Sequence, residues 1–229
     1  MKRRTLDVLF SAGGLAFALL FVILGVVLTN QSNFAKDYVH DQLKAQQITF
    51  TPAEFLGGEQ DRPGGECLVT YAGKDMTTGK MAECYANQYI AAHVEESVAG
   101  MAEQYNRPDY ANATYSSLGS LTRTEIPAAI EAATAKGEDT TALEDELAAW
   151  NGLRNGTMFQ GETLRGLLLT TYGFSIFGER ASQAAMVCYV AAVLLVLLSI
   201  AGFVHALVTP KDKDVLPHVQ HEELQPQNA

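Results

Sequence analysis

Two long apolar runs bracket a polar middle. From Val8 to Leu28 the chain reads VLFSAGGLAFALLFVILGVVL without a charged residue, and from Ala181 to Thr209 only His205 interrupts a second run. Each reaches the roughly 20 residues that a helix needs to cross a hydrocarbon core of about 30 Å. Only helices and closed barrels satisfy their own backbone groups in lipid, so the pattern predicts transmembrane helices over 8–29 and 181–209. A cleavable signal peptide is the competing reading of the first run. It needs a shorter apolar core, about 7–15 residues, and a small-x-small cleavage site, whereas LTNQSNFAK behind this core holds no A-x-A.

Between the two runs the periodicity is mostly helical. FAKDYVHDQLKAQQ has helix-forming composition, with Phe34, Tyr38 and Leu43 along one side, so the first helix is expected to continue past the membrane. ITFTPAEFLGG begins with a strand-like alternation. A short helix should follow, with Thr51 as N-cap, Pro52 at its first position and Glu54 closing a capping box. EQDRPGGE reads as a turn-rich linker, and CLVTYAGKDMTTGKMAEC as a strand, a turn and the start of a helix. The strongest helix covers 80–99 and stops at Gly100, with Tyr85, Tyr89 and Ala92 on one side and Ile90, Val94 and Val98 on another. Two shorter helices follow over 125–136 and 141–152, the second with Leu143, Leu147 and Trp150 on one stripe. The fold class is thus a mainly α membrane protein, two transmembrane helices flanking a small, mostly helical domain.

Charge orients this layout. Lys2, Arg3 and Arg4 precede the first run, and Lys211 and Lys213 follow the second. Short basic flanks stay cytoplasmic, which places 1–7 and the 210–229 tail inside the cell membrane and residues 30–153 outside as an extracytoplasmic domain. Residues 30–183 hold 11 Lys or Arg against 21 Asp or Glu, matching the −10 of the whole chain. So acidic a loop argues against nucleic acid as a partner. Cys67 and Cys84 share this loop, and an oxidising exterior favours a disulfide between them; a redox pair or a metal site would need CxxC or further ligands, and neither is present.

Candidate chemistry is sparse. His93, Glu95 and Glu96, and separately His218 and His221, are metal-like fragments without the third ligand or spacing of a zinc site. GETLRG lacks the Gly-Lys-Ser/Thr end of a phosphate loop, and no G-x-S-x-G elbow occurs. The sequence therefore points to no catalytic residue, no metal and no cofactor.

The juxtamembrane segment 154–180 carries the sharper signal. Leu164, Arg165, Leu168, Tyr172 and Phe174 follow closely there, apolar and aromatic with a cation, a composition suited to the bilayer interface and to a partner protein. Small residues mark both apolar runs, Gly13, Gly14 and Ala18 in the first and Ala191 and Gly202 in the second. Such residues let membrane helices approach closely. Docking to an integral membrane complex and pairing of the two helices with each other are both open to them.

Two word groups, YANQYIAAHVEESVAGMAEQY (85–105) and RNGTMFQGETLRGLLLTTYGF (154–174), resemble segments of a family of actinobacterial two-helix envelope proteins without an established activity. Residues 106–150 and the two loop cysteines depart from its shorter members. In size and topology the chain is also similar to an accessory subunit of mycobacterial Mce lipid-uptake transporters. The resemblance implies a non-enzymatic accessory or scaffold subunit bound to a permease in the bilayer, in an Mce-type lipid-import ABC transporter. An accessory subunit of a respiratory-chain supercomplex, and an ectodomain ligand sensor or enzyme, are the alternative readings.

Overall fold

The computed structural model describes residues 2–210; Lys211, Lys213, His218 and His221 lie outside that range. Two helices are long and apolar enough to cross a membrane. The first, α1, runs from Arg3 to Ala45. The second belongs to a helical stretch of 68 residues from Thr141 to Val208, made of α7 (Thr141–Gly152), a π-helical turn (Leu153–Met158) and α8 (Phe159–Val208). GETLRG thus lies inside a helix. Its backbone N–H groups are spent on helical hydrogen bonds, so it cannot cradle a phosphate.

The chain divides into two compact units, one drawn from the two apolar segments and the other comprising Phe34–Gly178. In the second unit the helices are short: α2 (Glu66–Tyr71), α3 (Gly79–Cys84), α4 (Ala91–Gln104), α5 (Leu118–Ser120) and α6 (Ile126–Lys136). A π-helical turn at Tyr85–Ile90 joins α3 to α4, and another at Leu121–Glu125 joins α5 to α6. Such turns, like the one at Leu153–Met158, reset the face a helix presents.

Several local expectations are corrected. CLVTY is helical, within α2, where the helix satisfies its backbone groups locally. What remains of the alternating pattern is one antiparallel bridge between Thr49 and Asp75, where Phe50 N–H donates to the Lys74 carbonyl at 2.9 Å and Met76 N–H to that of Ile48 at 2.8 Å. The capping box at Thr51 does not form; Pro52 precedes a single 3-10 turn, Ala53–Phe55. Gly100 does not stop its helix, which continues to Gln104. Val94, Val98 and Ala102 bury one continuous face across it, and that burial outweighs the roughly 1 kcal/mol that glycine costs inside a helix. Gly137 does end α6, in the left-handed conformation (φ 74°) that a residue without Cβ adopts freely.

The core of this unit is built around Trp150, fully buried on the Leu143–Leu147–Trp150 stripe with Tyr105 and Tyr110 rings at 6.4 and 6.2 Å. Phe50, Leu68, Leu118, Leu121 and Ile126 are among the other fully buried side chains of this core. Cys67 and Cys84 stand at disulfide distance, Cα–Cα 6.1 Å, and tie α2 to the end of α3. Arg107 closes the turn after α4 by a two-pronged bond to Glu146 of α7, at 2.8 and 3.1 Å.

Candidate docking surface

Within the unit of apolar segments, α1 and α8 run antiparallel: Asp7 meets His205, Ser11 meets Gly202, Gly14 meets Ser199, and the Tyr189 ring lies over Gly25. The seam has a strict period. Ser11, Ala18, Gly25 and Ser32 are buried on one helix, and Ala185, Ala192, Ser199 and Ala206 on the other. Seven-residue spacing keeps one face of each helix turned to its partner, and side chains this small let the backbones close in. Polar contacts cap the seam: Thr29 Oγ1 lies 3.1 Å from the Tyr189 hydroxyl, and Nδ1 of His205 lies 2.9 Å from Asp7 Oδ2.

Three of the small residues read from the sequence as docking positions are therefore occupied within the chain: Gly14, Ala18 and Gly202. Ala191 is half-buried beside the seam, and a side chain added at Gly13 would meet open space. Around the seam the helices present large apolar residues outward, among them Phe17, Ile23, Val187, Leu194 and Leu198, a surface suited to lipid.

The juxtamembrane residues separate into two groups. The Tyr172 hydroxyl accepts a hydrogen bond from Lys80 Nζ at 3.1 Å, and the same ammonium lies 4.9 Å from its ring centroid. Bonds to Tyr172 and Glu83 hold Lys80 charged, raising its pKa above the ordinary lysine value. Arg165 pairs with Glu162 one turn earlier at 3.2 Å. Arg154 donates to the Tyr115 carbonyl at 3.0 Å and stacks on its ring. Arg180 donates to Gln183 at 2.9 Å, so each of the three arginines of this stretch has a partner within the chain.

Leu164, Leu168 and Phe174, by contrast, converge on a groove of about 430 Å³. Its second wall is the C-terminal part of α1, with Tyr38, Val39, Gln42, Leu43 and Gln46. This wall was not singled out from the sequence as a site, although the four-residue interval from Val39 to Leu43 marks a buried face. No residue lining the groove carries a charge. Thr170 and Thr171 turn their hydroxyl protons back to the Gly166 and Leu167 carbonyls, which leaves Gln42, Gln46 and the Tyr38 hydroxyl as polar groups in an otherwise apolar lining.

A polar cleft of about 570 Å³ holds the metal-like fragment of α4. There His93 Nδ1 lies 2.8 Å from the Tyr89 carbonyl and its Nε2 3.4 Å from Glu59, while Arg62 pairs with Glu95 at 2.6 Å. Among the described residues no group of three His, Cys, Asp or Glu side chains is arranged to hold a metal ion. No family model, curated protein or solved structure matches the chain.

Proposed function

We propose that the chain is a non-enzymatic accessory subunit of a larger cell-envelope complex, anchored by two transmembrane helices with both flanks cytoplasmic and the acidic domain outside. The observation that carries this reading is the uncharged groove between α1 and α8, an exposed apolar feature on an otherwise strongly acidic domain. Exposed apolar surface of this kind marks an interaction site. The seam between the two membrane helices engages Gly14, Ala18 and Gly202, so docking is assigned to the groove and to the outward helix surfaces, Gly13 among them. The resemblance in size and layout supports an Mce-type lipid-import ABC transporter as the complex in this proposal, with its permease as the docking partner. The test is purification of the tagged full-length protein from its native membrane in mild detergent. Stoichiometric recovery of a permease and an ATPase supports the reading; cytochrome subunits in their place reassign the complex, and a chain that elutes alone overturns it.

A further inference from the structure

Where α1 and α8 leave their apolar runs, exposed rings and exposed charges share the same turns. On α1 these are Phe34, Lys36, Asp37 and Tyr38, and on α8 they are Phe174, Phe177, Glu179 and Arg180. Three of the rings pack across the two helices. Phe174 stands edge-on to Phe34 and Tyr38, with centroids 6.5 and 5.8 Å away, and Phe34 stacks on Tyr38 at 5.8 Å. Even so packed, Phe34 and Tyr38 remain 57 and 50% exposed, and Phe177, one turn on from Phe174, is 75% exposed.

Neither water nor hydrocarbon suits this mixture. Rings left together in water form an exposed apolar patch, and acyl chains would strand the charges beside them. A headgroup layer accepts both, which is why amphipathic rings gather there in membrane proteins. Helix length agrees. Asp7 and His205, paired at 2.9 Å, mark one polar limit of the apolar runs. From Asp7 to Phe34 on α1, and from Phe177 to His205 on α8, the helix rises about 40 Å at about 1.5 Å per residue. A bilayer with both of its headgroup layers is about 40–45 Å thick.

Resting on the reading of α1 and α8 as a transmembrane pair, we infer that Phe34, Tyr38, Phe174 and Phe177 form an aromatic collar seated in the phospholipid headgroup layer of the outer leaflet. The collar fixes the depth of the pair. Sliding one way draws Lys36, Asp37, Glu179 and Arg180 into hydrocarbon, and sliding the other way lifts the rings into water. Those charges balance, two of each sign, which suits a zwitterionic headgroup. Its phosphate matches the cations, and its quaternary ammonium matches carboxylates and ring faces.

The test reconstitutes the purified full-length chain in phosphatidylcholine vesicles. Their acyl chains carry bromine, a fluorescence quencher, either close to the headgroup or close to the bilayer centre. Trp150 is fully buried and gives the same background in every sample. Tryptophan is introduced singly as Phe34→Trp, as Phe177→Trp and, within the α8 span, as Leu194→Trp, where the native side chain is 55% exposed. Emission added at positions 34 and 177 should be quenched at least about twice as strongly by the shallow bromines as by the deep ones, with the reverse order at position 194. Equal or deeper quenching at 34 and 177 overturns the collar. So does an absence of quenching there while position 194 is quenched, and the transmembrane pair then survives. If position 194 escapes quenching, the transmembrane pair fails and the collar with it.

Discussion

The side chain of Ser199 packs over Gly14, in the space a Cβ there would occupy, and one turn along the seam Ser11 packs over Gly202 in the same way. Gly14→Leu should therefore force the two helices apart, by the overpacking penalty of about 1–3 kcal/mol. Gly13→Leu, whose side chain enters open space, should leave the hairpin intact. Disulfide trapping of a cysteine pair introduced at Ala18 and Leu195 reads this directly. Trapping that is equally efficient in both variants would show that the seam is not held at Gly14.

The Cys67–Cys84 pair closes a loop with a sequence separation of 17. Cross-linking a loop of that length contributes about 3 kcal/mol in the chain-entropy account. Replacing both cysteines by serine should lower the melting temperature of the full chain in detergent by several degrees, with helical content preserved below the transition. Reductant should shift the unmodified protein in the same direction and leave the double variant unmoved.

The periodicities that were legible in the sequence were those serving one helix at a time. The apolar runs, the Leu143–Leu147–Trp150 stripe and the stop at Gly137 each follow from residues within a few turns. The seam repeat, Ser11–Ala18–Gly25–Ser32 against Ala185–Ala192–Ser199–Ala206, is equally regular. It is hidden because small residues are scattered over all faces of both helices, and only the partner reveals which ones matter. The groove was half legible: Leu164, Leu168 and Phe174 stood out as apolar, but the wall from Tyr38 to Gln46 comes from a helix more than a hundred residues earlier. The cations beside them suit membrane phosphates or a partner's acids, but contacts within the chain engage them, Arg154 with Tyr115 across the domain and Arg165 with Glu162 one turn away on its own helix. CLVTY misled because a run of five residues is short enough to suit a strand or a helix, and it forms the helix α2.

Glu146 is nearly buried on α7 and receives both prongs of Arg107. Glu146→Ala leaves that guanidinium beside the core without its acceptor. Removing one partner of a fully buried pair costs about 3–5 kcal/mol, and since the Arg107 side chain is 32% exposed, about 2 kcal/mol is expected. Arg107→Ala together with Glu146→Ala should cost less than the sum of the single changes, because neither charge is then stranded. A double-mutant cycle in chemical denaturant measures this, and strictly additive losses would dismiss the pair as a structural tie.

Tyr110 donates its phenolic proton to Glu125, which also accepts from Ser120 at 3.1 Å. Desolvation, and then the bond to Glu125, push its pKa from 10.0 up to about 12. The neutral phenol is the form the fold favours, so the pKa is raised in the folded state. The resulting stabilisation is fully present below pH 10 and is lost as the pH climbs towards 12. The alkaline ultraviolet titration of the folded protein should accordingly show a late phenolate step. Tyr110→Phe should delete that step and flatten the loss of thermal stability over the same pH range. Tyr85, whose pKa is raised by burial and by the neighbouring Tyr89, still titrates late in that variant, so the comparison rests on the amplitude lost. An unchanged amplitude in Tyr110→Phe would mean that Glu125 does not hold the Tyr110 proton.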